Sequence, residues 1–324
     1  MDFNSLAQRM QIIHGKHFCT SFTQPVVLTL GVYDGVHIGH KHILHALTQY
    51  AQSIKAKSLL LTFYPHPRRV LYPEQPLFLL NTLEERIEKL KKQNLDYIWV
   101  YPFDQQFANL TAVEFVENII VRTLKAHTIF VGYDHKFGKN REGGYALFEK
   151  LGKVYHFNVV EIPAYQLDQV NVSSTKIRKS LLEGDIATAN NFLGYEYSLL
   201  GMVVKGKQIG RRIGFPTANI NLFSEEKLIP KSGVYVSKVQ LNGQFWYGVT
   251  NIGYKPTVEY STQMHIETHI FNFTEEIYGQ VLEVFPLYYL RSEQKFDSLE
   301  SLSFQIEQDK QSALEYLRSM KSRK

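Results

Sequence analysis

Cysteine is almost absent from this sequence. The single one, Cys19, excludes an internal disulfide and fits a reducing compartment such as the cytoplasm. Long apolar runs are lacking as well. No stretch approaches the ~18 residues that a membrane span needs, so no membrane role is expected. Arg9, His14 and Lys16 interrupt the N-terminal region where a secretory signal would be apolar. Charge of one sign is also scarce: Lys+Arg number 36, Asp+Glu 31, and the net charge is +5. That mild excess suits small anions such as nucleotides and argues against a nucleic-acid partner, which would call for a strongly basic surface. What is abundant is ordinary globular material, 44% hydrophobic and 21% charged over 324 residues. At roughly 100–200 residues per domain, two cores are the natural expectation.

The two halves differ in texture. VVLTLGV (26–32) reads as a buried strand, followed by the glycine-rich turn YDGVHIGH and a helix with Ile43, Leu44, Leu47, Tyr50 and Ala51 on one face. Ser58–Phe63, Tyr97–Tyr101 and Thr128–Val131 read as further strands. Thr82–Gln93 reads as a helix capped by Thr82 with Glu85 three residues on, and Thr111–Leu124 as another helix. Strands alternating with helices predict a doubly wound parallel α/β sheet, with ligands outside the strand C-termini. After about residue 195, short β-rich runs and tight turns take over: LLGMVVKGK, GVYVSKVQL, FWYGVTNIG, ETHIFNF and VLEVFPLYYL. Asn242-Gly243 predicts a type I′ hairpin turn. These runs predict an antiparallel barrel or sandwich, and Asp297–Lys324 a helix closing it. The expected domains are residues 1–184 and 185–324.

The turn Gly31-x-x-Asp34-Gly35-x-His37-x-Gly39-His40 lies where a strand gives way to a helix. Its glycines admit close approach of a phosphate, the helix N-terminus offers free N–H groups, and His37 and His40 can donate hydrogen bonds as charge develops on phosphate oxygens. Nucleotidyl transfer asks for this kind of positioning. GVYDGVHIGH resembles the HxGH signature of the nucleotidylyltransferase superfamily, in the variant of prokaryotic FAD synthetases. LTFYPHPRRV (61–70), VGYDHKFGKNREGG (131–144) and VSSTKIR (172–178) resemble three further segments of that family, in order. The resemblance implies nucleotide contacts at Gly31, Asp34, Gly35, Gly39, Ser174, Thr175 and Arg178, and flavin contacts at His66 and Asp134. The hydroxyls and cations of the last motif suit a leaving pyrophosphate. The chain departs from the pattern at Tyr33, Tyr64, His135, Lys136, Tyr195 and Glu196.

In the second half, GMVVKGKQIGRRIGFPTAN (201–219) interleaves Gly206, Gly210 and Gly214 with Lys205, Lys207, Arg211 and Arg212. Such a loop can wrap a polyphosphate with backbone N–H groups. It is no Walker A motif, lacking the closing GK[ST]. Thr217 and Asn219 supply oxygens of the hard type that Mg²⁺ prefers. GRRIGFPTANI resembles the riboflavin kinase signature, MHIETHIFNFTEEIYGQ (264–280) a second segment of that family, and Leu290-Arg291 with Lys295-Phe296 a third. The resemblance implies a six-stranded Greek-key barrel and ATP contacts at Lys205, Gly206, Gly210, Arg211, Gly214 and Pro216. It further implies a flavin contact at Arg291, metal ligation by Thr217 and Asn219, and a catalytic base at Glu267. A carboxylate suits that task, because the ribityl 5′-OH loses a proton as it attacks the γ-phosphate.

Together the two resemblances imply the bifunctional riboflavin kinase/FAD synthetase family, acting on riboflavin, FMN and ATP with Mg²⁺. Three other readings remain open from the sequence. A kinase alone, with an adenylyltransferase half impaired at Tyr64 and His135, is one. A flavin-binding regulatory protein is another, though Glu267 and Thr217 argue against it. A different HxGH adenylyltransferase is the third, but it leaves the kinase-like half without a place.

Overall fold

The computed structural model of the chain describes residues 10–18, 22–133, 135–206, 208–256 and 262–322. Asp134, expected at the flavin, and Lys207 of the basic loop lie outside the described residues. The chain divides into two compact units, Met1–Ser173 and Ser174–Lys324.

The first unit is built on six parallel strands: β1 (Gln11–His14), β2 (Val26–Leu30), β3 (Lys57–Tyr64), β4 (Tyr97–Pro102), β5 (Ala126–Gly132) and β6 (Asn158–Ile162). Their spatial order is β1-β4-β3-β2-β5-β6, each pair parallel. Both faces are covered. Leu28, Leu59, Leu61 and Trp99 join one core with Phe115, Ile120 and Phe148; Val27, Leu60, Ile98 and Phe130 join the other with Leu44, Leu47 and Leu90. Burial on both faces explains why VVLTL is apolar without alternation. The helices are α1 (Ile38–Ser53), α2 (Pro67–Leu71), α3 (Leu83–Leu90), α4 (Gln105–Ala108), α5 (Ala112–Phe115) and α6 (Tyr145–Tyr155). The Thr82 capping box forms as expected, and a 3-10 turn at Lys91–Gln93 ends that helix. The expected helix 111–124 is α-helical for one turn and then widens into a π-helix at Val116–Thr123. From β2 the chain builds outward through β3 to β4, then returns to place β5 on the other side of β2. The crevice at β2 and β5 is therefore the switch point where open α/β sheets bind ligands. A small hairpin, β7 (Gln166–Leu167) and β8 (Val170–Asn171), closes the unit.

The second unit opens with α7 (Ser174–Glu183) and α8 (Ile186–Leu193). Six antiparallel strands follow: β9 (Leu199–Val204), β10 (Ala218–Leu222), β11 (Gly233–Leu241), β12 (Gln244–Pro256), β13 (Thr262–Ile270) and β14 (Val281–Arg291). They close in the order β10-β13-β12-β11-β14-β9. Since β14 returns beside β11 of the β11-β12-β13 meander, the connection is a Greek key. Asn242 and Gly243 both take positive φ, 48° and 80°, as the expected type I′ turn requires. The one-turn helix α9 (Ile209–Arg212) lies in the glycine-rich loop, and α10 (Leu299–Lys321) is the closing helix, capped by Ser298.

Candidate active sites

The phosphate-suited turn spans the gap between β2 and α1. Gly31 and Gly35 take φ of 153° and 85°, but so, without being glycine, do Tyr33 at 57° and Val36 at 35°. Each non-glycine there costs about 1–3 kcal/mol and persists only where neighbours over-determine it, a condition that collects at functional sites. The Tyr33 hydroxyl meets Thr29 Oγ1 at 2.9 Å in the interior. Asp34, 4% exposed, accepts hydrogen bonds from Leu80 N at 3.1 Å and Asn81 N at 3.0 Å. Its carboxylate thus holds the 80–81 segment against the turn.

His37 is the N-cap of α1: its Nδ1 accepts from His40 N at 3.3 Å. An imidazole accepting at Nδ1 carries its proton on Nε2, ready to donate. The His40 ring stacks on His37 at 3.6 Å between centroids and lies 4.5 Å from the Tyr33 ring. Burial pushes the His40 pKa well below the usual range, with His37 and the Arg86 charge adding to the effect. Gly39 leaves space for this arrangement, since a Cβ there would meet the His37 ring at 3.3 Å. The helix N-terminus carries no acidic residue in its first turn, so its partial positive charge stays available to an anion.

Two further segments border the switch point. His66 caps α2, its Nδ1 accepting from Arg68 N at 3.1 Å. After β5, residues 135–144 fold into a loop pinned by paired hydrogen bonds between Phe137 and Gly143, of 3.1 and 2.9 Å. Phe137 stacks on Phe148 at 3.9 Å, and His135 lies over both rings. Burial lowers the His135 pKa to about 4. This departure from the family pattern therefore places a neutral, flat ring against an aromatic cluster. Ser174, Thr175 and Arg178 lie on α7, in the second unit; Ile177, Ser180 and Leu181 form its buried face, and Thr175 is exposed.

On the barrel, Glu267 faces outward from β13, flanked in register by Asn219 of β10 and Asn251 of β12. A cavity of about 470 Å³ opens there, lined by Glu267, Asn219, Thr217, Phe215, Phe296 and Arg291 among others. A second, of about 330 Å³, lies between the glycine-rich loop and residues 273–278; Gln208 and Thr217 line both. The loop backbone passes so close to its neighbours that side chains are excluded. A Cβ at Gly206 would meet the Asn219 amide at 2.4 Å, and one at Gly210 would meet Phe215 O at 2.2 Å. Gly214 takes φ of 86°. Lys205 lies 6.0 Å from the Tyr278 ring, and Arg211 pairs with Glu276 at 2.8 Å. His269, two residues beyond Glu267, donates from Nδ1 to Pro216 O at 2.8 Å, which ties the Pro216–Thr217 corner to β13. Arg291, expected at the flavin, lines this first cavity. Its guanidinium forms a fork with the buried Asp309 of α10, at 2.8 and 2.7 Å, so it anchors the closing helix at the cavity wall.

Among the described residues no three His, Cys, Asp or Glu side chains cluster to cage a metal. The oxygens of Thr217, Asn219 and Glu267 are a sparse hard-donor set. That set fits Mg²⁺ arriving with phosphates and water rather than an all-protein cage.

Comparison with known proteins gives a family for each half of the chain. Residues 19–176 match the FAD synthetase family, and residues 193–317 match riboflavin kinase. The bifunctional riboflavin kinase/FMN adenylyltransferase of Haemophilus influenzae is 37% identical over 311 residues, covering 96% of this chain and 100% of that one. The Bacillus subtilis protein of the same name is 34% identical over 316 residues, covering 96% and 99%. The chain belongs to the bifunctional riboflavin kinase/FMN adenylyltransferase family. A solved chain from Streptococcus pneumoniae, described as a macrolide-efflux protein, superposes with a TM-score of 0.82 at 30% identity, covering 90% of this chain and 95% of that one. No helix among the described residues is long and apolar enough to cross a membrane.

Within this family, the departure at Glu196 has a structural explanation. Its carboxylate pairs with Lys238, whose ammonium lies over the Phe245 and Phe285 rings. Two site residues escaped the sequence reading, Arg86 and His269. Arg86 was hidden on the buried face of a helix that pattern alone marks as amphipathic, and His269 inside a strand motif whose outward face the sequence does not reveal.

Proposed function

We propose that each unit carries one of the chain's two activities, with Glu267 and the His37–His40 pair at the centres of reaction. The protein phosphorylates riboflavin to FMN with ATP and adenylylates FMN to FAD with release of pyrophosphate. Both family matches, and relatives bearing both activities in their names over nearly the whole chain, favour this over a kinase alone or a regulatory protein. The functional division at 184/185 places α7 with the adenylyltransferase although it packs with the second unit; the FAD synthetase match reaching residue 176 supports that placement.

In the barrel, riboflavin occupies the 470 Å³ cavity, its ring against Phe215, Phe296, Leu302 and Ile306. ATP occupies the 330 Å³ cavity across the loop, with Lys205, Gly206, Gly210, Arg211, Gly214 and Pro216 along its phosphates. The carrying observation is that Glu267 and Thr217 meet at the wall of the first cavity while Thr217 also lines the second. Glu267 takes the proton of the 5′-OH, the freed oxygen bonds to the γ-phosphorus, and the bond to the β,γ-bridging oxygen breaks to leave ADP. Thr217 and Asn219 would hold Mg²⁺, which would supply charge neutralisation at the phosphates. Arg291 shapes the flavin cavity through Asp309.

In the α/β unit, the FMN phosphate attacks the α-phosphorus of ATP and pyrophosphate leaves. The attacking oxygen is already anionic, so no strong base is required. His37 and His40, presented at the α1 N-terminus, donate to the developing charge, His40 from a ring that burial keeps neutral. Gly31, Gly35 and Gly39 let the backbone approach it; by resemblance, the pyrophosphate falls to Ser174, Thr175 and Arg178 of the SSTKIR motif. By resemblance, His66 and Asp134 fall to the flavin. The cysteine-poor composition fits a cytoplasmic location.

The test is product analysis. Purified protein with Mg-ATP should convert riboflavin to FMN and FMN to FAD, and chelation of the metal should abolish both. FMN without FAD would leave a kinase alone, and neither product would overturn the reading.

A further inference from the structure

Arg86 lies in the middle of α3 and is 4% exposed. Burying a guanidinium is costly unless carbonyls or carboxylates answer it. Here the answer comes from two strand ends. Nη1 donates to Val32 O at 2.7 Å and Nη2 to Phe63 O at 3.2 Å. Val32 immediately precedes Tyr33, Asp34 and Gly35 of the phosphate turn, and Phe63 immediately precedes Tyr64, Pro65 and His66. The Thr62 hydroxyl donates to the same Val32 carbonyl at 3.2 Å. One buried fork thus fastens together the exits of β2 and β3, the two segments that carry the histidine signature and His66. The Asp34 carboxylate lies within electrostatic reach and favours the cation, while also holding Leu80 and Asn81 just before α3.

We propose that Arg86 is a positioning residue for adenylyl transfer, fixing the phosphate turn and the His66 segment at one separation through its two-pronged bond to Val32 and Phe63. This rests on the adenylyl-transfer reading of the first unit. The planar fork does what a lysine point charge cannot, since two diverging carbonyls need two diverging donors. A second consequence concerns charge. The groups facing His40 are His37, Tyr33 and Arg86. Burial keeps His40 from taking a charge, and the Arg86 charge adds to that effect.

Arg86→Lys and Arg86→Gln, made in the full chain, test this. Each preparation carries its own control, because riboflavin phosphorylation occurs in the other unit. A misplacement of about 1 Å can cost on the order of a hundredfold in rate. Both variants should therefore form FAD from FMN with kcat lowered about that much, and form FMN from riboflavin at the wild-type rate. Imidazole titration by NMR should separate them: the His40 pKa rises in Arg86→Gln and stays low in Arg86→Lys. Wild-type kcat for FAD formation in both variants would overturn the proposal. So would a loss that stabilising osmolyte fully restores, which would make Arg86 a stability residue instead. If the wild-type protein itself formed no FAD, the adenylyl-transfer reading would fail, a result distinct from either.

Discussion

Gly210 and His135 show how single residues carry the argument in opposite directions. A methyl group at Gly210 would collide with Phe215 O at 2.2 Å, and backbone cannot yield as a flexible side chain can. Gly210→Ala should displace the Phe215–Thr217 corner and lower the riboflavin kinase kcat at least tenfold, leaving FAD formation from supplied FMN unchanged. Steady-state kinetics on the two substrates checks this. His135 bears on stability. Its folded pKa of about 4 lies below the ordinary 6.5, so the unfolded chain takes up the proton first as pH falls. The stabilisation tied to a neutral His135 is complete above pH 6.5 and drains away down to about 4, with a slope of at most ~1.4 kcal/mol per pH unit. Urea unfolding between pH 7 and 4 should show this loss, and His135→Phe should flatten it, with His40 leaving a residual slope. At this scale the sequence marks residues where chemistry repeats in a pattern, as with His37, His40 and Glu267 in their motifs. Arg86 was not readable, since its meaning depends on Val32 and Phe63, distant in sequence.

Among the elements, the ones that local rules govern were legible. The Thr82 capping box and the Asn242–Gly243 turn are visible in a few adjacent residues because their hydrogen bonds and φ angles are local. Strand β10 was hidden, its ANINL alternation swallowed by the motif that precedes it. Edge strand β1 was not anticipated either, being short and half-exposed, and the π-helix at Val116–Thr123 has no local sequence signature. The closing helix α10 was expected from its leucines, but its anchor was not: Arg291 and Asp309 are brought together only by the fold. Asp309→Ala leaves a largely buried guanidinium without its carboxylate, which typically costs about 3–5 kcal/mol. The variant should lose about that much on urea unfolding of the second unit and raise the riboflavin KM more than it lowers kcat. An unchanged KM would mean that α10 does not form the flavin cavity wall.

For the whole molecule, the alternation of strands and helices in the first half and the hairpin texture of the second foretold two architectures, and the structure has both. The functional division is less legible than the folds, because α7 packs with the barrel while its SSTKIR motif belongs by resemblance to the other reaction. On the proposed reading, two separate sites on one chain perform the two steps. Product chromatography on two variants tests it most directly: Glu267→Gln, and His37→Asn with His40→Ala, in which the asparagine preserves the N-cap of α1. The first should lose FMN formation by roughly 10²–10⁴-fold and still convert FMN to FAD. The second should lose FAD formation by at least roughly 10²-fold and still make FMN. Loss of both products in either variant, or of neither in both, would contradict the account.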